Sequence, residues 1–599
     1  MKIVQVGQLL ANHDNGRDPL RMGRLTALEP RPEPYFALLC QPNGTIHASA
    51  ARIGNSNGEA VLPMYRAFLN DAVESQAQIA ITPEYSVPWA LVREILSGAV
   101  RPPQGSLWVL GCESITPAEL DALQLEMNGN AAVRLIHEPF DPQRRVQRAF
   151  VDPVVFAFWA VDRADVDVLC LLVQFKTVVS RDPDHVELLS LYLGTRVYKF
   201  MAQAGDVSLL ALICSDAFEF TDALVGEHCN DLLLVHVQLN KRPGYVDYAA
   251  YRSRLFSVAS NNNIEIICLN WAANVLLEGS AHPWNSIAGS AWYIAPRGVT
   301  IADADINQLH HDGMYYSVVG ERWHAFYLNY APHSLLLKKQ PVVAKGHQVL
   351  NQRIAPQVEA RRAWDEQAAK WTAVAADDGF GTFVQAYGAL SQALPQMGGG
   401  DPLAVERALE LLAGPTGNAD KWYELEELGA LKVAHEESIR LVTVSQETDT
   451  ARSGVAFRRA RARLAQAAVT IPGQGVTWPT PVEDLAAGFR YRWVAADPHS
   501  NVEPAAGGKP AALVYLGENP EADTLANVYA KLSKARQIHA CITSVYAGLD
   551  PIDAASRAQD RLCVVYQQNH ALQFYRPPGF ASITDPAGAY EDDIAREQQ

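Results

Sequence analysis

The chain has 599 residues, 48% hydrophobic and 19% charged, enough for two or three ordinary globular domains. A formal net charge of −16 argues against a general nucleic-acid-binding surface. Eight cysteines without CxxC spacing, several inside apolar runs (Cys170, Cys268, Cys563), give no disulfide framework and point to free thiols in a reducing compartment. With no signal-like start and no apolar run of membrane-spanning length, the expectation is a cytoplasmic protein without membrane contact.

In chain order, Lys2 to Val6 reads as an opening strand. The turn-rich Pro30–Pro34 and Asn55–Gly58 follow as surface loops. Ala77 to Ile81 is a short apolar run that meets Pro83, which breaks ladder hydrogen bonding, so the strand should stop and leave Glu84 at a sheet rim. Val166 to Phe175 is a second such run, and it hands over to Lys176. Leu209 to Ile213, apolar throughout and suited to a strand covered on both faces, ends in Cys214. A lone buried cysteine is usually a small hydrophobe. Three buried strands that each end in a reactive group are another matter: as neighbours in one sheet they would bring Glu84, Lys176 and Cys214 to one edge.

Such a set suffices for acyl transfer at a C–N bond. A carboxylate takes the thiol proton and leaves the attacking thiolate. An ammonium, with the amide N–H of Ser215, stabilises the charge growing on the carbonyl oxygen or nitrile nitrogen. The same carboxyl group then protonates the departing ammonia and activates water, which asks for a pKa raised by burial.

The motifs Ile81-Thr82-Pro83-Glu84-Tyr85, Phe175-Lys176-Thr177-Val178-Val179 and Ala211-Leu212-Ile213-Cys214-Ser215-Asp216 resemble, in chain order, the Glu-Lys-Cys triad of the nitrilase (carbon–nitrogen hydrolase) superfamily. Further segments agree: a strand at Asp231–Val235, a helix from Tyr251 to Asn263, a strand from Ile264 to Asn270 and a late hairpin at Gly289–Gly298. The resemblance covers residues 1–340 and implies an αββα sandwich, frequently oligomeric, that needs neither metal nor organic cofactor. It also implies a second glutamate that orients the lysine. Glu187, the only glutamate between Lys176 and Cys214, takes that role; the competing reading is a solvated carboxylate on a helix from Val186 to Tyr192. The family's Arg-Phe-Pro-Glu-like segment is replaced by Ala217-Phe218-Glu219-Phe220, which puts Phe218 and Glu219 at the substrate pocket and leaves the substrate unnamed.

Beyond residue 340 the pattern changes. Helices are expected at Val358–Ala376, Phe380–Leu394, from Asp401 to Gly414, and near 420–440 and 451–468, so that 341–478 reads as a helical region. Residues 479–599 read as a small α/β module of unknown function, with strands at Pro510–Gly517, Ile538–Thr543 and Leu562–Tyr566 and a helix at Ala522–Ala535. His310, His311 and Asp312, with His324 and His333, match no metal-ligand spacing. Gly379-Phe380-Gly381 lacks a third glycine, and Gly398-Gly399-Gly400-Asp401, although it resembles the phosphate loop of ATP pyrophosphatases, follows no strand and reads as a linker. The basic run Arg452, Arg458, Arg459, Arg461 and Arg463 reads as a solvated face, and Trp271, Trp284 and Trp292 as core.

The reading is therefore a thiol-dependent hydrolase of a small amide or nitrile. An amine acyltransferase on the same triad, or a silent scaffold whose C-terminal part binds a partner, are the alternatives.

Overall fold

Apolar runs such as 168–173 and 209–213 have no polar face, so they require cover on both sides. In the computed structural model they are fully buried strands of two sheets. The described residues are 1–12, 18–29, 33–145, 148–180, 186–203, 207–228, 232–241, 250–252, 254–255, 264–284, 290–294, 315–319, 322–328, 331–339, 356–374, 409, 411–414, 423, 439–440, 463–492 and 497–577. The chain divides into two units, Met1–Ser317 with Arg322–Asp378, and Val318–Glu321 with Gly379–Gln599.

In the first unit one sheet runs in the order Lys2–Gln5, Arg196–Met201, Ser208–Ile213, Leu232–Val237, Ile264–Leu269, Ala291–Ile294 and Arg322–Tyr327. The other runs Lys370–Ala373, Gln357–Asp365, His333–Lys339, Tyr35–Gln41, Ile79–Val87, Leu107–Cys112, Pro153–Val161, Asp167–Phe175 and Val133–His137. Alternation along each strand sends one set of side chains outward. Ala80, Trp108, Leu110, Val155, Leu171 and Val173 pack against Tyr65, Phe68, Leu91, Val92, Ile95 and Leu120. Those partners come from helices Gly58–Glu74, capped by Asn57, Trp89–Ser97, and Pro117–Met127, which opens on a Thr116–Glu119 capping box. On the other sheet Leu210, Leu212, Leu234 and Ile266 pack against Ala217, Phe220, Val225, Tyr251 and Leu255. The inner faces meet where Phe156 and Phe158 lie 4.9 and 5.2 Å from Phe200, centroid to centroid. The result is an αββα sandwich.

Two expectations about the first unit are corrected. The glutamate and lysine strands share one sheet, separated by two others, whereas the cysteine strand belongs to the opposite sheet. The three groups therefore meet across the sandwich and not along one sheet edge. The helix expected over Val358–Ala376 is instead the strand pair Gln357–Asp365 and Lys370–Ala373, which extends the sheet past residue 340. Its Ala, Glu and Arg favour helix locally, but the ladder to His333–Lys339 overrides that propensity.

In the second unit Ala512–Glu518 pairs parallel with Leu562–Gln568, which pairs antiparallel with Ala571–Phe574. The crossover carries helices Ala522–Tyr546 and Pro551–Asp560. The strand expected at Ile538–Thr543 is the second half of the longer helix. Its core joins Leu409, Leu412, Ala465, Ala468 and Trp478 to Leu513, Tyr515 and Val565. The expected helix Phe380–Leu394, most of those near 420–440 and 451–468, and the segments Gly379–Gly381, Gly398–Asp401 and His310–Asp312 lie outside the described residues. Among the described residues no helix is long and apolar enough to cross a membrane.

Candidate active site

Pro83 does break the ladder, but the strand does not stop there. Pairing with Leu107–Cys112 is lost after Thr82 and resumes at Val87, so the residues between form a bulge. Thr82 Oγ1 accepts from Gly111 N (3.0 Å), Ser86 Oγ lies 2.7 Å from Pro83 O and 2.9 Å from Gly111 O, and Asn55 Nδ2 donates to Ser86 O at 2.7 Å. Tyr85 adopts φ 56° at this kink. Glu84, expected at an open rim, is 1% exposed and aimed into the molecule. Its backbone carbonyl accepts from Trp271 Nε1 at 2.8 Å, which gives that core tryptophan a second task.

Lys176 follows the end of its strand, and its backbone is clamped on both sides. Its N–H donates to Asp152 O at 2.9 Å and its carbonyl accepts from Gly194 N at 2.8 Å. The fully buried ammonium donates to Glu84 Oε1 (2.7 Å), Glu187 Oε1 (2.7 Å) and Ser180 Oγ (3.0 Å), with Asp152 Oδ2 at 3.4 Å. Ser180 Oγ in turn lies 3.9 Å from Cys214 Sγ. Glu187 is buried and not solvated, and it also accepts from Tyr85 OH (3.0 Å) and Ser180 N (2.7 Å).

Cys214 opens the short helix Cys214–Glu219 with φ 42°, a left-handed conformation that is strained for any residue with a Cβ. Two buried neighbours hold that turn. His236 Nε2 lies 2.8 Å from Cys214 O, so that nitrogen carries the proton. Asp216 Oδ1 accepts from Thr177 N (2.7 Å), Thr177 Oγ1 (2.8 Å) and Val178 N (3.1 Å), and Oδ2 from Ile213 N (3.2 Å). Ser215 Oγ donates to Val178 O at 2.6 Å. The turn bearing Cys214 is thus tied to the segment after Lys176. Phe218 and Glu219 stand at the solvent end of the helix, exposed and outside this buried cluster.

Electrostatics follow from burial and partners. Burial raises Glu84 above the usual carboxylate range, with Lys176 opposing the rise. Asp152 is raised further, by burial and then by the charge of Glu84. Burial would also raise Glu187, but Lys176 outweighs it and holds Glu187 low. Burial disfavours the Lys176 ammonium, yet Glu187 and Glu84 keep it firmly protonated. Burial pushes Asp216 up to about 6 and His236 down to about 3. Oxygens of Glu84, Asp152 and Glu187 approach within 4.8 Å of one another, a donor set of metal-binding type, but the Lys176 ammonium reaches all three carboxylates and serves as their cation. His333, weighed as a ligand from sequence, is buried beside Ala331 O at 2.7 Å.

Sequence reading did not assign Asp152, Ser180, His236 or any role for Asp216. Asp216 was visible in the Cys-x-Asp motif, and Asp152 as a solitary carboxylate within the apolar stretch 150–158. The other two carry no local signal.

No protein-family model matches the chain, and no curated protein does. Among solved structures, an amidase from Nesterenkonia sp. is similar over 53% of this chain and 95% of its own, at 13% identity and a TM-score of 0.29. A mutant of the Nesterenkonia AN1 amidase from the nitrilase superfamily matches over 52% and 93%, at 14% identity and a TM-score of 0.29. The glutamine-dependent NAD+ synthetase from Acinetobacter baumannii matches over 76% and 70%, at 11% identity and a TM-score of 0.30. Matches this distant carry nothing about activity. The front half of this protein is a two-sheet αββα sandwich that brings Glu84 and Lys176 from one sheet toward Cys214 from the other.

Proposed function

We propose that the front unit is a thiol-dependent hydrolase of small amides or nitriles, in which Cys214 attacks, Glu84 moves protons and Lys176 with Ser215 N–H receives the developing charge. The observation that carries this reading is the chain of contacts from Cys214 Sγ through the half-buried Ser180 Oγ to the buried Lys176 Nζ and on to Glu84 and Glu187. Glu84 takes the thiol proton, and the thiolate adds to the substrate carbonyl carbon. The oxyanion settles against Lys176, taking over the N–H now given to Ser180, and against Ser215 N–H. Glu84 returns its proton to the nitrogen, ammonia leaves and a thioester remains. Water, deprotonated by Glu84, then releases the acid and regenerates the thiol. Glu187 keeps the ammonium charged and aimed. The raised Glu84 suits both halves of the cycle.

The test is a panel of amides and nitriles scored for ammonia release, with intact-mass detection of an acyl adduct on Cys214. Turnover that disappears in Cys214→Ala supports the assignment. Full activity in that variant, or adducts elsewhere on the chain, would overturn it.

A further inference from the structure

The cluster holds three carboxyl groups, Glu84, Asp152 and Glu187, around one ammonium, all of them buried. Full ionisation would leave two uncompensated negative charges there, which burial forbids. A proton must stay, and the hydrogen bonds locate it. Glu187 accepts from Lys176 Nζ, Tyr85 OH and Ser180 N. Glu84 accepts from Lys176 Nζ and Leu239 N. Neither oxygen of Asp152 has a hydrogen-bond donor among the described residues, and Lys176 Nζ is 3.4 Å away. Asp152 and Glu84 lie side by side, and two carboxyl groups form a hydrogen bond when one carries a proton.

On the reading of the site given above, we propose that Asp152 is a positioning residue: a permanently protonated acid that donates its hydrogen bond to Glu84 and keeps that carboxylate ionised and aimed until the thiol proton arrives. The titratable groups facing Asp152 are Glu84 and Tyr85 on the glutamate strand, Cys112 on the next strand, Lys176, and Glu187 on its helix. Burial holds Tyr85 and Cys112 in their neutral forms, and Glu187 is already saturated with donors. Glu84 is the acceptor that remains. The Asp152 proton stays in place through the cycle, and the proton that moves is the one Glu84 exchanges with thiol, ammonia and water. Donation to the ionised form lowers the affinity of Glu84 for protons, against the upward push of burial.

The test compares Asp152→Asn, which still donates but has no carboxyl proton, with Asp152→Leu, which fills the space and donates nothing. Infrared spectra of the full-length protein at neutral pH should contain a protonated-carboxyl band that both substitutions remove. The pH profile for iodoacetamide alkylation of Cys214, followed by intact mass, should move upward by about one pH unit in the Leu variant, an about tenfold loss of rate on the acidic limb. The Asn variant should keep the wild-type profile. Alkylation and infrared need no substrate, so they judge Asp152 even where no amide is hydrolysed and the proposed reaction itself fails. A carboxyl band that persists in Asp152→Asn overturns the proposal. So does an Asn variant that behaves like Leu, because the charge and not the donated bond would then be what matters. If the Leu variant does not fold, the infrared difference between wild type and Asn decides alone.

Discussion

Gly111→Ala tests whether the glutamate bulge positions Glu84. A Cβ at Gly111 would sit 2.0 Å from Pro83 O, 2.4 Å from Pro83 C and 2.8 Å from Glu84 Cα, where real Cβ contacts essentially never fall under 3.0 Å. Every one of these atoms is backbone, so no side chain can swing away, and the bulge itself must retreat by about 1 Å, the gap between 2.0 and 3.0 Å. A displacement of about 1 Å at a catalytic group is enough for an about 100-fold loss of rate. Overpacking of this kind costs about 1–3 kcal/mol. Scaled to the roughly 370 residues of the first unit, the melting entropy is about 0.8 kcal/mol/K, so Tm should fall by about 1–4 °C. The assay is kcat/KM for the best amide together with Cys214 alkylation and calorimetry. Gly7→Ala is the control, since the same added methyl group meets nothing within 4 Å on the helix Val6–Ala11. A Gly111→Ala variant with wild-type alkylation and turnover and wild-type melting would refute the reasoning.

Two further outcomes rest on the support of the cysteine turn. His236→Leu leaves the buried Cys214 carbonyl without its donor, at a cost of about 1–3 kcal/mol, and should lower Tm by about 1–4 °C while slowing alkylation of Cys214; an unchanged Tm would count against it. Because Asp216 is raised to about 6 from an ordinary 3.8, the folded state binds its proton more tightly than the unfolded chain. Its contribution to stability is therefore complete below pH 3.8 and lost as pH rises to about 6, some 3 kcal/mol in all. Asp216→Asn should flatten that part of a denaturation-versus-pH curve, and a slope identical to wild type would contradict the assignment.

The candidate groups were legible because apolar strands hand over to polar residues at their ends: Leu209 to Ile213 leads to Cys214, and Val168 to Phe175 leads to Lys176. Glu187 was reachable only through the family resemblance, which implies a second glutamate between the lysine and the cysteine, where this chain has just one. The sheet to which each strand belongs was not legible, since a run buried on both faces looks the same in either sheet of a sandwich. Propensity misled at Gln357–Asp365, where helix-favouring Ala, Glu and Arg are held extended by the neighbouring strand. Run length misled at Ile538–Thr543, six residues of strand-like composition inside a 25-residue helix. His236 and Ser180 act through backbone and hydroxyl contacts that only the folded arrangement creates.

A site assembled from two sheets needs a device that fixes one against the other, and Gln174 fits that part. Arg196–Met201 and Ser208–Ile213 pair from Met201↔Ser208 to Lys199↔Leu210, and the next rung, Tyr198 opposite Ala211, is missing. Gln174, on the lysine strand of the other sheet, fills the gap: its Oε1 accepts from Tyr198 N and its Nε2 donates to Ala211 O, both at 2.9 Å. This bridge ties the two sheets together two residues before Lys176 and three before Cys214 along their respective strands. Gln174→Leu keeps comparable bulk but orphans two buried backbone groups at about 1–3 kcal/mol each, for a Tm loss of about 3–8 °C in the first unit. Gln174→Glu keeps the acceptor and loses the donor, so it should recover part of the stability at acidic pH, where a protonated carboxyl can donate to Ala211 O. Calorimetry across pH, paired with the alkylation rate of Cys214, separates a bridge from mere filling. If Leu melts and alkylates like wild type, the two sheets are held in register by packing such as Phe156 and Phe158 on Phe200, and Gln174 is only a passenger between them.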